Sequence, residues 1–87
     1  MPTALTIAGS DSSGGAGVQA DLKTFAAHHV HGVCAITAVT AQNTVGITTV
    51  ETMSPVVVTT QIDSVLDDFD VKAVKTGMLA TRPIVTE

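Results

Sequence analysis

Tryptophan and tyrosine are absent from this 87-residue chain, and Phe25 and Phe69 are its whole aromatic supply. The stacking platforms on which single-stranded nucleic acids usually lie are therefore missing. Four Lys plus Arg stand against eight Asp plus Glu, a formal net charge of −4. That balance offers no basic field to a polyanion, so no nucleic-acid partner is expected. Cys34 is the only cysteine; it excludes an internal disulfide, fits a reducing compartment and reads as a small buried apolar residue. No uninterrupted apolar stretch approaches the ~20 residues of a membrane helix, and no basic leader precedes an apolar run. The expectation is a soluble, cytoplasmic protein with no membrane partner.

Hydrophobic residues make up 45% of the chain and charged ones 14%, the reverse of the balance that keeps a chain disordered. A chain of this length buries a little over ~60% of its unfolded surface and forms one domain at most. With so few aromatics, its core must come from Val, Ala, Ile, Leu and the methyl groups of Thr, which suits closely packed β/α layers.

Ala4 to Ala8 is an apolar run that reads as a strand buried on both faces. A glycine-rich stretch, Gly9 to Gly17, follows. From Val18 the period becomes helical, with Val18, Leu22, Phe25, Ala26 and His29 on one stripe. His28, His29 and His31 fall at the expected end of that helix, with Gly32 as its stop. No carboxylate lies close to them in sequence and His28 and His29 point in different directions on a helix, so the histidines read as imidazoles beside a helix C-terminus and no metal site is expected.

Val33 to Thr40 reads as a central strand ending in Ala41-Gln42-Asn43, and Gly46 to Glu51 as an edge strand or flap. Ser54-Pro55 opens a helix with Val58, Ile62, Val65, Leu66 and Phe69 inward and Asp63, Asp67 and Asp68 toward water. Val71 to Thr76 is the next strand, ending at Gly77-Met78-Leu79, and Thr81-Arg82-Pro83 opens a helix that supplies about one turn, short of the ~11-residue mean. The order predicts right-handed crossovers, a mainly parallel sheet with helices on its faces, and an N-terminal piece of a larger α/β protein. An unpaired strand edge would then leave the isolated chain prone to aggregate.

Ligands of such sheets sit beyond the carboxyl ends of the strands, here Gly9-Ser10-Asp11, Gln42-Asn43 and Gly77-Met78. Gly9 to Gly14 has the spacing of a P-loop, but Gly15 stands where the phosphate-binding lysine belongs. Gly15-Ala16-Gly17-Val18-Gln19-Ala20 fits the dinucleotide fingerprint, yet no Asp or Glu occurs between Asp21 and Glu51 to hold a ribose. Walker-type binding is excluded, and the missing acid argues against nicotinamide binding. From pattern alone the loop is either a close backbone approach to a small ligand or a flexible strand-to-helix turn.

The runs ALTIAGSDSSGGAGVQADLKTF (Ala4 to Phe25), ITAVTAQNT (Ile36 to Thr44) and KTGML (Lys75 to Leu79) closely resemble the N-terminal part of the bacterial hydroxymethylpyrimidine/phosphomethylpyrimidine kinase family of thiamin biosynthesis. That family is part of the ribokinase-like superfamily. The resemblance implies a three-layer α/β/α fold with a mainly parallel sheet. Residues 1–87 would be the N-terminal substrate-pocket portion of one kinase domain, cut before its ATP-binding and catalytic part. It further implies two ATP-dependent phosphoryl transfers, to the hydroxymethyl group of an aminopyrimidine and then to the monophosphate.

On that resemblance the candidate substrate-binding residues are Gly9, Asp21, Gln42 and Met78. The Gln42 carboxamide matches the amine and adjacent ring nitrogen of an aminopyrimidine, much as Gln pairs with adenine. Met78 would pack on the ring, Gly9 would let the first strand lie against it, and Asp21 would bond the substrate hydroxyl or fix the loop. Asp11 and Lys23 read as loop-organising or solvated, and Lys72 and Lys75 as strand residues. The resemblance places the catalytic base, ATP and Mg²⁺ in the C-terminal part and implies a homodimer, with Thr44 to Glu51 as lid or contact. Two alternatives stand beside it: a non-catalytic pyrimidine-binding module, and a related vitamin kinase such as one for pyridoxal, whose substrate lacks the aminopyrimidine edge.

Overall fold

The computed structural model describes residues 1–77. Its elements run β1 (Thr3–Asp11), α1 (Gly17–Ala27), β2 (His31–Gln42), β3 (Ile47–Thr52), α2 (Pro55–Asp68) and β4 (Val71–Thr76). They form a four-stranded sheet of order β3-β2-β1-β4, with β1 parallel to both β2 and β4 and β3 antiparallel to β2.

Residues of alternate parity on β1 face opposite sides of the sheet, and both sides are covered. On one side Thr6 reaches Asp21 of α1, and a Cβ on Gly32 would lie 2.6 Å from Leu22 Cδ2. On the other, Leu5 and Ala35 are fully buried, and the His31 ring on that side stacks at 5.4 Å on Phe69, just after α2. The sheet thus lies between α1 and α2 in three layers. The core is Leu5, Val18, Val58 and small side chains, Ala4, Ala8, Ala35, Ala38, Thr6 and Thr37. The small residues bring layers close, while Leu5 and Val58 each contribute about 1.5–3 kcal/mol of burial.

Helix α2 begins as the Ser54-Pro55 pair predicts, with the Ser54 hydroxyl accepting a hydrogen bond from the Val57 N–H at 3.2 Å. Its Gln61 side chain bonds both backbone groups of Ile36 at 2.9 Å, occupying the stretch of the β2 edge that precedes the part paired with β3. Asp63, Asp67 and Asp68 face water, but Leu66 and Phe69 are also exposed, so the inward stripe is narrower than the spacing implies.

Helix α1 ends earlier than expected. Its C-cap is His28, and His29 takes the left-handed turn (φ 58°) expected of a glycine. Gly32 is not the stop. It lies inside β2, opposite Ala4, where the Leu22 and Phe25 side chains leave no room for a Cβ. The helix that the sequence places from Thr81 falls outside the described residues.

Candidate substrate cleft

The carboxyl ends of the parallel strands β1, β2 and β4 open into a cleft of about 620 Å³, flanked by Ile47 and Val50 of β3. Gly9, Asp21 and Gln42 all line it; Met78 lies outside the described residues. Lys75 and Thr40, which sequence reasoning left out of the site, line it as well.

The floor is made where two backbones nearly touch. Gly17 (φ 64°) opens α1, and a Cβ there would lie 2.3 Å from the Gly9 carbonyl oxygen. The Gly15-Ala16-Gly17 spacing therefore serves close packing of helix on strand. Gly77 continues the β4 ladder through its N–H to the Ile7 carbonyl, and a Cβ there would meet Ala8 Cβ at 2.8 Å. Gly17 and Gly77, one from each motif, are thus packing residues at the cleft.

The glycine loop is filled by its own carboxylate. Asp11 is buried, and its Oδ1 accepts hydrogen bonds from the Ser13 hydroxyl (2.7 Å) and the Ser13 N–H (2.8 Å), a turn typical of Asp. The Ser13 hydroxyl, with the Ser13, Ala16 and Gly15 amides adding to it, outweighs burial and holds the Asp11 carboxyl below its ordinary value. Amides turned onto Asp11 are not open to a phosphate. Gln19 ties the loop down, accepting from the Asp11 N–H at 2.8 Å and donating to the Ser10 hydroxyl at 2.7 Å. Lys23 donates to the Gly14 carbonyl. Asp11 and Lys23 organise the loop, as the sequence suggests.

Asp21 is held from two sides. Thr6 donates to its Oδ2 at 2.6 Å, and Lys75 Nζ lies 2.6 Å from its Oδ1. Burial pushes the Asp21 carboxyl up, but hydrogen bonds from Lys75 and Thr6, with the ammonium charge, hold it below its ordinary value. A cation at the carboxyl end of a parallel strand, next to a Thr-Gly turn, was the sequence signal for Lys75.

Gln42 is clamped at its backbone and at its side chain. The Ser12 hydroxyl accepts from the Gln42 N–H at 2.7 Å and donates to the Gln42 carbonyl, while Thr40 Oγ1 stands 2.7 Å from Gln42 Oε1. A carboxamide held in this way presents a donor and an acceptor side by side at fixed positions. Among the described residues no helix is long and apolar enough to cross a membrane. No group of three or more His, Cys, Asp or Glu is gathered there to hold a metal.

Comparison with known proteins agrees with this arrangement. A family model described as phosphomethylpyrimidine kinase matches residues 11–87. A hydroxymethylpyrimidine/phosphomethylpyrimidine kinase of Synechococcus elongatus is 61% identical over 85 residues, covering 98% of this chain and 32% of that protein. The chain therefore spans about a third of the length of such bacterial relatives, and 15–16% of the longer Schizosaccharomyces pombe and Arabidopsis thaliana ones. The crystal structure of a phosphomethylpyrimidine kinase from Clostridium difficile superposes with a TM-score of 0.95 at 50% identity, covering 99% of this chain and 37% of that one. A Bacillus subtilis pyridoxal kinase structure gives 0.88 at 44% identity, over 99% and 34% of the two chains. The layered sheet is accordingly of the ribokinase-like kind. With the glycine loop, the glutamine strand end and the lysine strand end all inside the matched length, this chain belongs to the phosphomethylpyrimidine kinase family.

Proposed function

We propose that this chain supplies the pyrimidine pocket of a longer kinase that phosphorylates hydroxymethylpyrimidine, and then its monophosphate, for thiamin biosynthesis. The observation that carries this reading is Gln42, whose main chain is held by Ser12 and whose carboxamide oxygen is held by Thr40 at the rim of the cleft. Gly9 then lies beneath the ring, Met78 packs on it, and the Asp21–Lys75 pair stands beside the hydroxymethyl group. We assign a cytoplasmic location and a homodimer to the longer protein. The exposed Val45, Ile47 and Val50 around β3 suit a lid or a contact.

The described residues do not fit ATP and Mg²⁺. The loop amides face Asp11, Lys75 is committed to Asp21, and both described cleft carboxylates, Asp11 and Asp21, are already hydrogen-bonded. The nucleotide and its metal are therefore assigned to the rest of the longer protein.

A second reading, pyridoxal phosphorylation, is favoured by the pyridoxal kinase among the structural neighbours. The test is calorimetric titration of hydroxymethylpyrimidine and of pyridoxal into the full-length protein, wild type beside Gln42→Ala, with ATP turnover followed on the same samples. Loss of about 1–3 kcal/mol of pyrimidine binding in the variant, the scale of an unmatched buried polar partner, is the expected result. Unchanged pyrimidine binding, or tighter binding of pyridoxal, overturns the pyrimidine assignment. Binding without turnover identifies a non-catalytic binding module.

A further inference from the structure

Thr40 is buried and stands between two oxygens, the Ser10 carbonyl at 2.9 Å and Gln42 Oε1 at 2.7 Å. A threonine hydroxyl has one proton to give. If it goes to Ser10, the short contact with Gln42 must be made by an amide turned end for end, with Nε2 donating to Thr40. If it goes to Gln42, Oε1 is pinned on the Thr40 side. In the structure Oε1, not Nε2, faces the Thr40 hydroxyl at 2.7 Å, which is the second arrangement. Gln42 Nε2 then has no hydrogen-bond partner among the described residues.

We propose that Thr40 is a specificity-determining residue that sets the order of acceptor and donor along the Gln42 carboxamide, and through it which heterocycle edge the cleft accepts. Thr40 takes one Oε1 lone pair, which leaves the second lone pair and the Nε2–H groups for a ligand. Pinned in this order, the carboxamide complements a heterocycle with an amino group beside an unprotonated ring nitrogen. The 4-oxo analogue presents a carbonyl beside a ring N–H, the reverse order, and fits only a turned amide. The main chain of Gln42 cannot shift to compensate, because the Ser12 hydroxyl bonds both its N–H and its C=O. With the main chain held, the side-chain amide can still turn, and the hydrogen bond from Thr40 opposes that turning.

This inference rests on the reading of Gln42 as facing the pyrimidine, and the experiment separates the two. Dissociation constants for hydroxymethylpyrimidine and its 4-oxo analogue are measured on the full-length protein, as wild type, Thr40→Val, Thr40→Ser and Gln42→Ala. The wild type is expected to prefer the amino compound. Thr40→Val, which keeps the shape and loses the hydroxyl, should reduce that preference about tenfold, the worth of one hydrogen bond. Thr40→Ser should keep it. A preference unchanged in Thr40→Val overturns the role of Thr40. A wild type that binds the two compounds equally does the same and needs no variant to fold. Should Gln42→Ala bind hydroxymethylpyrimidine as the wild type does, the pyrimidine-facing reading itself fails.

Discussion

Gly17 and Gly9 approach so closely that a methyl group on Gly17 would lie 2.3 Å from the Gly9 carbonyl oxygen. The floor of the cleft depends on that approach. Gly17→Ala is expected to lose about 1–3 kcal/mol from its left-handed backbone alone, with the clash added to it. Gly14→Ala, at φ 81° with only Lys23 Nζ nearby at 3.4 Å, should suffer the backbone part alone. Urea unfolding of the two variants checks this, and equal losses would show that the close approach costs nothing to relieve.

The Asp21 carboxyl is held low by Lys75 and Thr6 against the opposing effect of burial. A carboxylate with a depressed folded pKa contributes stability that is fully present above its unfolded value, about 4, and is lost as pH falls through the lower folded value. Asp11, held low first by the Ser13 hydroxyl, acts in the same sense. Stability should therefore decline below about pH 4, and less steeply in Asp21→Asn. In Lys75→Met the Asp21 carboxyl should titrate at higher pH than in the wild type, as read by carboxyl carbon NMR.

Gln61 takes the place of a strand along part of the β2 edge. Gln61→Leu leaves the Ile36 N–H and C=O without that partner and should cost about 1–3 kcal/mol. Gln61→Glu keeps an acceptor for the N–H but no donor for the C=O, and should fall between. Hydrogen exchange at the Ile36 amide reports the first loss directly: fast in Leu, slow in Glu and wild type.

Strand β4 pairs only with β1 among the described residues, and Val74 on it is 57% exposed. An apolar strand edge of this kind templates further pairing. The 87-residue chain alone should self-associate in sedimentation experiments, and Val74→Lys should shift it toward monomer. A monomeric, cooperatively melting wild-type chain would contradict this.

The strands and both described helices were legible because each carries its own period or punctuation. Continuous apolar runs mark β1 and β2, and Ser54-Pro55 marks the start of α2. The end of α1 was not, since His29 rather than a glycine adopts the left-handed turn, and Gly32 is needed for packing under Leu22 and Phe25. At the cleft, Gly9, Asp21 and Gln42 were readable as motif positions at strand ends or helix starts. Their partners were not. Whether Thr40 meets Ser10 and Gln42 depends on the register after an extra residue of β2 opposite Gly9, which no local pattern records. The Asp21–Lys75 pair joins α1 to β4 on the face of the sheet that Thr6 also points to, a relation that only the strand order reveals.

The strand order has a kinetic consequence. β1 is synthesised first, yet Thr3 finds its ladder partners at His31 and again at Val71. Such remote parallel pairings carry a large loop-closure cost before any contact offsets it, and they slow folding. The last described strand brings Lys75 to Asp21 and Gly77 to Ala8. The cleft is therefore complete only once β4 has docked, and without β4 Asp21 lacks its counter-ion.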